Sequence, residues 1–154
     1  MFLISHRGNI SGAKPLLENY PVYISLALRA GFDCEVDVWN INGNYLLGHD
    51  SPDFFVKESF LENDKLWCHA KNLQALSSMI RNSKIHCFWH QEDDYTITSR
   101  NYIWAYPGKP VVPNCISVLP KNYNIKNLSV CSGICSDNIL SYKDIDELSF
   151  NACK

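Results

Sequence analysis

Cys34-Glu35-Val36-Asp37-Val38-Trp39 sets two carboxylates two residues apart in an otherwise apolar run. Residues i and i+2 of a strand point to the same face. Read as a strand, the stretch aims Glu35 and Asp37 at one spot. Neighbouring carboxylates repel and resist joint ionisation. A divalent cation between them removes the conflict, and hard cations such as Mg²⁺ or Ca²⁺ take oxygen ligands. The same hexapeptide also suits a solvent-facing strand edge with two ordinary acids, and alone it does not separate the two readings.

The flanks read as alternating strand and helix. Upstream, Phe2 to Ser5 is a short apolar strand ending in His6-Arg7-Gly8. A helix candidate follows: Asn19 can cap, Pro21 fits the first turn, Val22, Leu26 and Ala30 recur every four residues, and Gly31 supplies a stop. Downstream, Asn42-Gly43 is a turn signal, and Tyr45 to Gly48 returns as a strand into His49-Asp50. Ser51 to Asp64 holds an irregular or short helical excursion. Leu66 to His69 is a strand, and Asn72 caps a helix with Leu73, Leu76 and Ile80 on one face.

Further strands are expected at Ile85 to Trp89, Tyr102 to Tyr106, Cys115 to Leu119 and Gly133 to Ser136. Tyr95 to Ser99 reads as a short extended or turn segment, and Leu140 to Leu148 as a closing helix. Apolar runs without alternation suit strands buried on both faces. Strand-helix alternation argues for an α/β fold with a parallel sheet. His6, His49, Lys71, His90 and Asp137 each fall at or just past the C-terminal end of an expected strand. In parallel α/β sheets that edge binds ligands.

The 154 residues read as a single domain, 1–154, with enough chain for a real core. Fourteen basic residues against 16 acidic ones leave a net charge of -2, which gives no electrostatic case for nucleic acid. No run reaches the length of an integral membrane segment, and the N-terminus lacks the pattern of a signal peptide. Seven cysteines, an odd number without a C-x-x-C pair, read as reduced core residues of a cytoplasmic protein. A structural zinc site on Cys131 and Cys135 is the alternative, but no matching second pair exists.

His6-Arg7-Gly8, Glu18-Asn19, Glu35-Val36-Asp37-Val38 and His49-Asp50, in this order and spacing, resemble the opening of the glycerophosphodiester phosphodiesterase family. Its wider group comprises phospholipase C-like phosphodiesterases on TIM barrels. His69-Ala70-Lys71, Tyr102 to Tyr106 and Gly133 to Asp137 resemble later strands of that family. Taken singly, each piece has a plainer reading: a structural His-Arg-Gly, an Asx turn at His49-Asp50, an acid at a helix start in Glu18. The ordered set carries the resemblance.

The resemblance implies an abbreviated (β/α) TIM-type barrel with reduced or missing outer helices in the second half. It implies a phosphoric diester hydrolase acting on glycerophosphodiester-like small or lipid-derived substrates, a role in lipid metabolism. Glu35 and Asp37 would hold a divalent metal ion, and Arg7 would pair with the phosphate. His6 and His49 would serve as general acid and base. Lys71 would approach the phosphate or the metal carboxylates, or form an internal ion pair.

Two departures qualify this. Where the family places its third metal carboxylate, this chain has His69. Imidazole is a poorer partner for Mg²⁺ or Ca²⁺ and a better one for Mn²⁺ or Zn²⁺. Nearby Glu92, Asp93 or Asp50 offer a substitute carboxylate. The chain is also short, since a full barrel runs to about 250 residues; roughly two βα units' worth is missing. Strand faces stripped of helices would be covered by homodimerisation. A catalytically weak or inactive phosphate-binding barrel and a phosphodiester lyase of the phosphatidylinositol-specific type remain as alternatives.

Overall fold

A computed structural model of the chain describes residues 1–120 and 128–143. Its strands, in chain order, are β1 (Phe2–His6), β2 (Asp33–Ile41), β3 (Asn44–Leu47), β4 (Phe54–Val56), β5 (Leu66–Ala70), β6 (Cys87–Trp89), β7 (Tyr95–Ile97), β8 (Ile103–Ala105), β9 (Cys115–Val118) and β10 (Gly133–Ser136). All ten belong to one sheet. Parallel pairing runs β6-β5-β2-β1-β10-β9-β8. The β2–β3, β3–β4 and β7–β8 pairs are antiparallel. Three short helices, α1 (Pro21–Arg29), α2 (Glu58–Leu61) and α3 (Leu73–Met79), precede β6, and a 3₁₀ turn covers Ile139–Tyr142.

The expected (β/α) TIM-type barrel does not form. The sheet is mixed and open, and among the described residues no ladder joins β6 to β8. The cause is local. The free edge of β6 is occupied by the turn after β7: Ser99 N donates to Cys87 O at 2.8 Å, and Cys87 N donates to Ser99 Oγ at 2.9 Å. At Cys87 the backbone groups that a neighbouring strand would pair are therefore already satisfied. The chain then folds β8 back antiparallel on β7.

Three apolar clusters are built on the sheet, one of them formed by Phe32, Cys115, Leu128, Cys131, Ile134 and Ile139; the other two bear on the site. On one side Cys34, Val36 and Val38 of β2 pack with Cys68, Ala70, Ile24 of α1 and Ala75 and Met79 of α3. On the other, Ile4, Trp67, Phe88, Trp104, Ile116, Val118 and Cys135 meet from six different strands, so the sheet curls over them. The period of two puts Glu35 and Asp37 opposite Cys34, Val36 and Val38. The acids therefore share the inner side with that second cluster.

The two longer helices turn inward on stripes shifted from the expected ones, although Leu76 of α3, on its expected face, does pack against the core. In α1, Ile24 and Ala27 are buried, whereas Val22 and Leu26 remain about half exposed. Asn19 is not its cap; Tyr20 holds that position. Asn72 does cap α3, accepting from Ala75 N at 2.8 Å, but Ala75 and Met79 are buried rather than Leu73 and Ile80. In each case an alanine sits in the buried stripe, where its small side chain permits close approach to the sheet. The start of the expected closing helix, Leu140 to Leu148, falls in the 3₁₀ turn Ile139–Tyr142, and everything beyond residue 143 lies outside the described residues. Among the described residues no helix is long and apolar enough to cross a membrane.

Candidate active site

Strand register assembles the site. His6 is the register partner of Glu35, and Asp37 of His69. Partners in adjacent parallel strands share a face, so two pairings bring four ionisable groups to one rim. β1 ends at His6, leaving the edge of β2 beyond Glu35 free. β3 takes that edge from Val38 onward and returns the chain to the rim. Gly48 N donates to Asp37 O at 3.1 Å, and Trp39 Nε1 donates to Gly48 O at 2.7 Å. His49 thus reaches the rim by way of a hairpin.

Glu35, Asp37 and His69 offer ligand atoms that all lie within 4.8 Å of one another. His69 Nδ1 is 3.0 Å from Asp37 Oδ1 and 3.8 Å from Glu35 Oε1. Its Nε2 donates to the His90 carbonyl at 2.7 Å. That bond fixes the ring and turns Nδ1 towards the two carboxylates, the arrangement by which outer hydrogen bonds orient a metal-binding imidazole. Asp50, Glu92 and Asp93 are exposed and do not join the group. Cys131 and Cys135 form no metal-ligating group among the described residues. All six described cysteines are buried and unpaired, and Cys153 lies outside the described residues.

The two acids have opposite surroundings. Burial works against the Asp37 carboxylate, but the His69 bond, Arg7 and Lys71 outweigh it and hold the group below the usual carboxylate range. Arg7 Nε lies 3.0 Å and Lys71 Nζ 3.5 Å from Asp37 oxygens. Asn19 closes the shell, donating to Asp37 Oδ2 and accepting from Asp37 N, both at 2.9 Å. Glu35 is pushed up by burial and by the Asp37 charge. Its Oε2 is buried without a hydrogen-bond partner. A cation beside these two acids would relieve both the repulsion and the unpartnered oxygen.

A second network orients His6. Its Nδ1 donates to Asp137 Oδ1 at 2.8 Å, and Nε2 lies 3.9 Å from Glu35 Oε2. Burial lowers its proton affinity, but Asp137 and Glu35 outweigh that and raise it overall. Asn9, fully buried, donates to both Glu18 and Asp137 at 2.9 and 2.8 Å. Glu18 in turn receives Arg7 Nη1 at 3.1 Å. Arg7 has a left-handed backbone, φ 54°, a conformation that costs energy in a non-glycine residue and clusters at functional sites.

His6, Arg7, Glu35, His49, His69, Lys71, His90, Trp104 and Tyr106 all line one cavity of about 340 Å³. Of the residues assigned a catalytic, phosphate or metal role, only Asp37 does not line the cavity; it lies against Arg7, His69 and Lys71, which do. His49 is the outermost, half exposed, with Nδ1 2.7 Å from Asp50. Asn9 was not foreseen: its position two residues after Arg7 carries no motif, and its partners come from residues 18 and 137. His90 was visible at a strand end but had no assigned role. No family model, curated protein or solved structure matches the chain.

Proposed function

We propose that this cavity binds and hydrolyses a phosphodiester with the help of a divalent cation held by Glu35, Asp37 and His69. The observation that carries the reading is the convergence of two buried carboxylates and an imidazole whose Nε2 is already committed to a carbonyl. Their charges support it. Glu35 lines the cavity, and Glu18, Asp37 and Asp137 lie directly against its lining residues Arg7, Lys71 and His6, a set of acids that leaves room for a dication. When bound, the cation would offset charge on the phosphoryl oxygens.

The chain's own side chains supply the rest. Arg7 and Lys71 bring fixed positive charge and N–H donors to the cavity wall. The Asp137 bond holds the His6 proton on Nδ1, so Nε2 faces the cavity and Glu35, ready to take or give a proton. His49, similarly tied through Nδ1 to Asp50, presents Nε2 as the second proton-transfer atom. Small or lipid-derived glycerophosphodiesters are the substrates to which the reading points.

Purified protein should turn over glycerophosphodiesters with at least one of Mg²⁺, Ca²⁺, Mn²⁺ or Zn²⁺. His6→Ala and His49→Ala should each lose about 100-fold or more, the usual size of an acid–base contribution. Absence of turnover with every metal, or unchanged rates in both variants, rejects the reading. A cyclic phosphate product, seen by phosphorus NMR, would assign a lyase instead. The second reading is a phosphate-ligand binder without turnover. It is favoured by the exposure of His49 and by the engagement of Arg7 between Glu18 and Asp37. Calorimetric binding without reaction would select it.

A further inference from the structure

β4 ends the sheet: β3 lies on one side of it, and among the described residues no strand lies on the other. Its pairing fixes which backbone groups are left over. Gly48 N bonds Asp37 O, so Gly48, Leu46 and Asn44 turn their backbone groups to β2, and Tyr45 and Leu47 turn theirs to β4. The register partners of these two, Val56 and Phe54, point back at β3. Phe55 lies between them and aims its N–H and C=O at the open edge. Among the described residues no turn, loop or helix group bonds either one. The Phe55 side chain is 62% exposed.

An edge with free backbone groups is a template for another strand, and proteins that stay monomeric put charges on it. Here the central position holds a phenylalanine, and the charges stand two residues to either side with opposite signs. Asp53 and Lys57 are both exposed. The Asp53 carboxylate accepts one hydrogen bond, from Ser51 Oγ at 2.6 Å, and among the described residues neither side chain forms an ion pair.

This edge is complementary to itself. In an antiparallel pairing about a two-fold axis through Phe55, the two Phe55 backbones face each other and exchange both N–H···O bonds. The same register sets Phe54 against Val56, and Asp53 against Lys57, once at each end. Moving the axis to Asp53 or to Lys57 would set like charges directly opposite, which is unfavourable. A two-fold pairing uses each β4 edge once, so it closes on two copies instead of growing into a ribbon.

We propose that the chain forms a homodimer by antiparallel pairing of β4 with β4 of a second copy, joining two ten-stranded sheets into one. The inference does not depend on the chemistry of the cavity. One short strand makes an interface at the small end of the range, so the dimer is a weak one.

Sedimentation velocity on the whole chain, from about 1 μM to about 1 mM, should show monomer passing to dimer as concentration rises. Phe55→Pro removes only an N–H that β3 does not use, a change that an edge strand tolerates, and this variant should stay monomeric throughout. Asp53→Lys and Lys57→Asp each oppose like charges at both ends of the pairing and should weaken the dimer about tenfold. Mixed in equal amounts, these two variants set acid against base again and should associate as tightly as the wild type. Damage to the fold of either one cannot produce that rescue, so the mixture decides the matter should Phe55→Pro fail to fold. A wild type that stays monomeric overturns the proposal. A dimer that Phe55→Pro leaves intact does the same, as does a mixture that associates no better than its components.

Discussion

His69 Nδ1 lies 3.0 Å from Asp37 Oδ1 while Nε2 of the same ring is 2.7 Å from the His90 carbonyl oxygen. A carbonyl only accepts, so Nε2 carries a proton. Nδ1 then either carries a second proton shared with Asp37 or offers its lone pair to a cation. A cation bound to the folded state alone stabilises it by RT ln(1 + [L]/Kd), about 2.7 kcal/mol at a hundredfold excess over Kd. Mn²⁺ or Zn²⁺ should raise the thermal midpoint of the wild type by several degrees, and Glu35→Gln should lose most of that shift. An equal shift in the two proteins removes Glu35 from the metal site.

Replacing the imidazole by a carboxylate should change which metal binds. His69→Glu places three carboxylates around one point, which suits Mg²⁺ or Ca²⁺ and lowers the advantage of Zn²⁺. In chelator the variant should be less stable than the wild type, because like charges now crowd a buried site. Added Mg²⁺ should recover more stability in the variant than in the wild type. Thermal melts with and without each metal read both effects.

Asn19 holds Asp37 from two directions and does so with φ 61°. Asn19→Ala loses both hydrogen bonds and forces alanine into the left-handed region. Asn19→Gly loses the bonds without that strain. Urea unfolding should place the alanine variant about 2–4 kcal/mol below the wild type, with glycine about 1 kcal/mol above alanine. Equal stability of the two variants would show that side-chain bonding alone matters there.

Gly48 links the rim at Asp37 to the loop that carries His49. Its φ is 150°, and a Cβ there would run into the Ser51 carbonyl oxygen and lie 2.9 Å from Asp53 Oδ2. The Ser51 contact is backbone, so it cannot swing aside as a flexible side chain would. Gly48→Ala should cost about 2–4 kcal/mol in urea unfolding and, through His49, reduce the turnover proposed above. The Mn²⁺-induced thermal shift should survive, since Glu35, Asp37 and His69 lie on β2 and β5.

The acidic pair was legible because a strand's two-residue period is a property of the backbone, independent of tertiary context. The same rule fixed the common face of Glu35 and Asp37 once the segment was taken as a strand. That His69 would pair with Asp37 needed the register of β2 against β5, which no local pattern carries. Helix faces were misread because Val22, Leu26 and Ala30 form as regular a stripe as Ile24 and Ala27, and hydrophobicity favours the wrong one. The open sheet was illegible for a different reason. It depends on Thr98 and Ser99, two ordinary polar residues whose hydroxyls bond His86 and Cys87 across a turn. The resemblance to a barrel family carried the expectation of closure past them.

His86, within that same turn contact, should make stability depend on acid. Its ring is buried against Trp67, with centroids 4.2 Å apart, and Nε2 bonds Thr98 Oγ1 at 2.8 Å. Burial, helped by the Arg100 charge, pushes the imidazole down to about 3. An unfolded histidine titrates near 6.5. Between these values the unfolded chain binds a proton that the folded chain refuses, so the residue's contribution is complete above about pH 6.5 and is lost as pH falls towards 3. One such proton corresponds to about 1.4 kcal/mol per pH unit. His86→Gln keeps a polar side chain but cannot take up that proton in this range. Urea unfolding between pH 6 and pH 4 should therefore show a stability slope smaller by close to one proton in the variant, even where its stability at pH 7 is lower. Parallel pH profiles for the two proteins would mean that His86 is protonated in the folded state and that its burial carries no acid sensitivity.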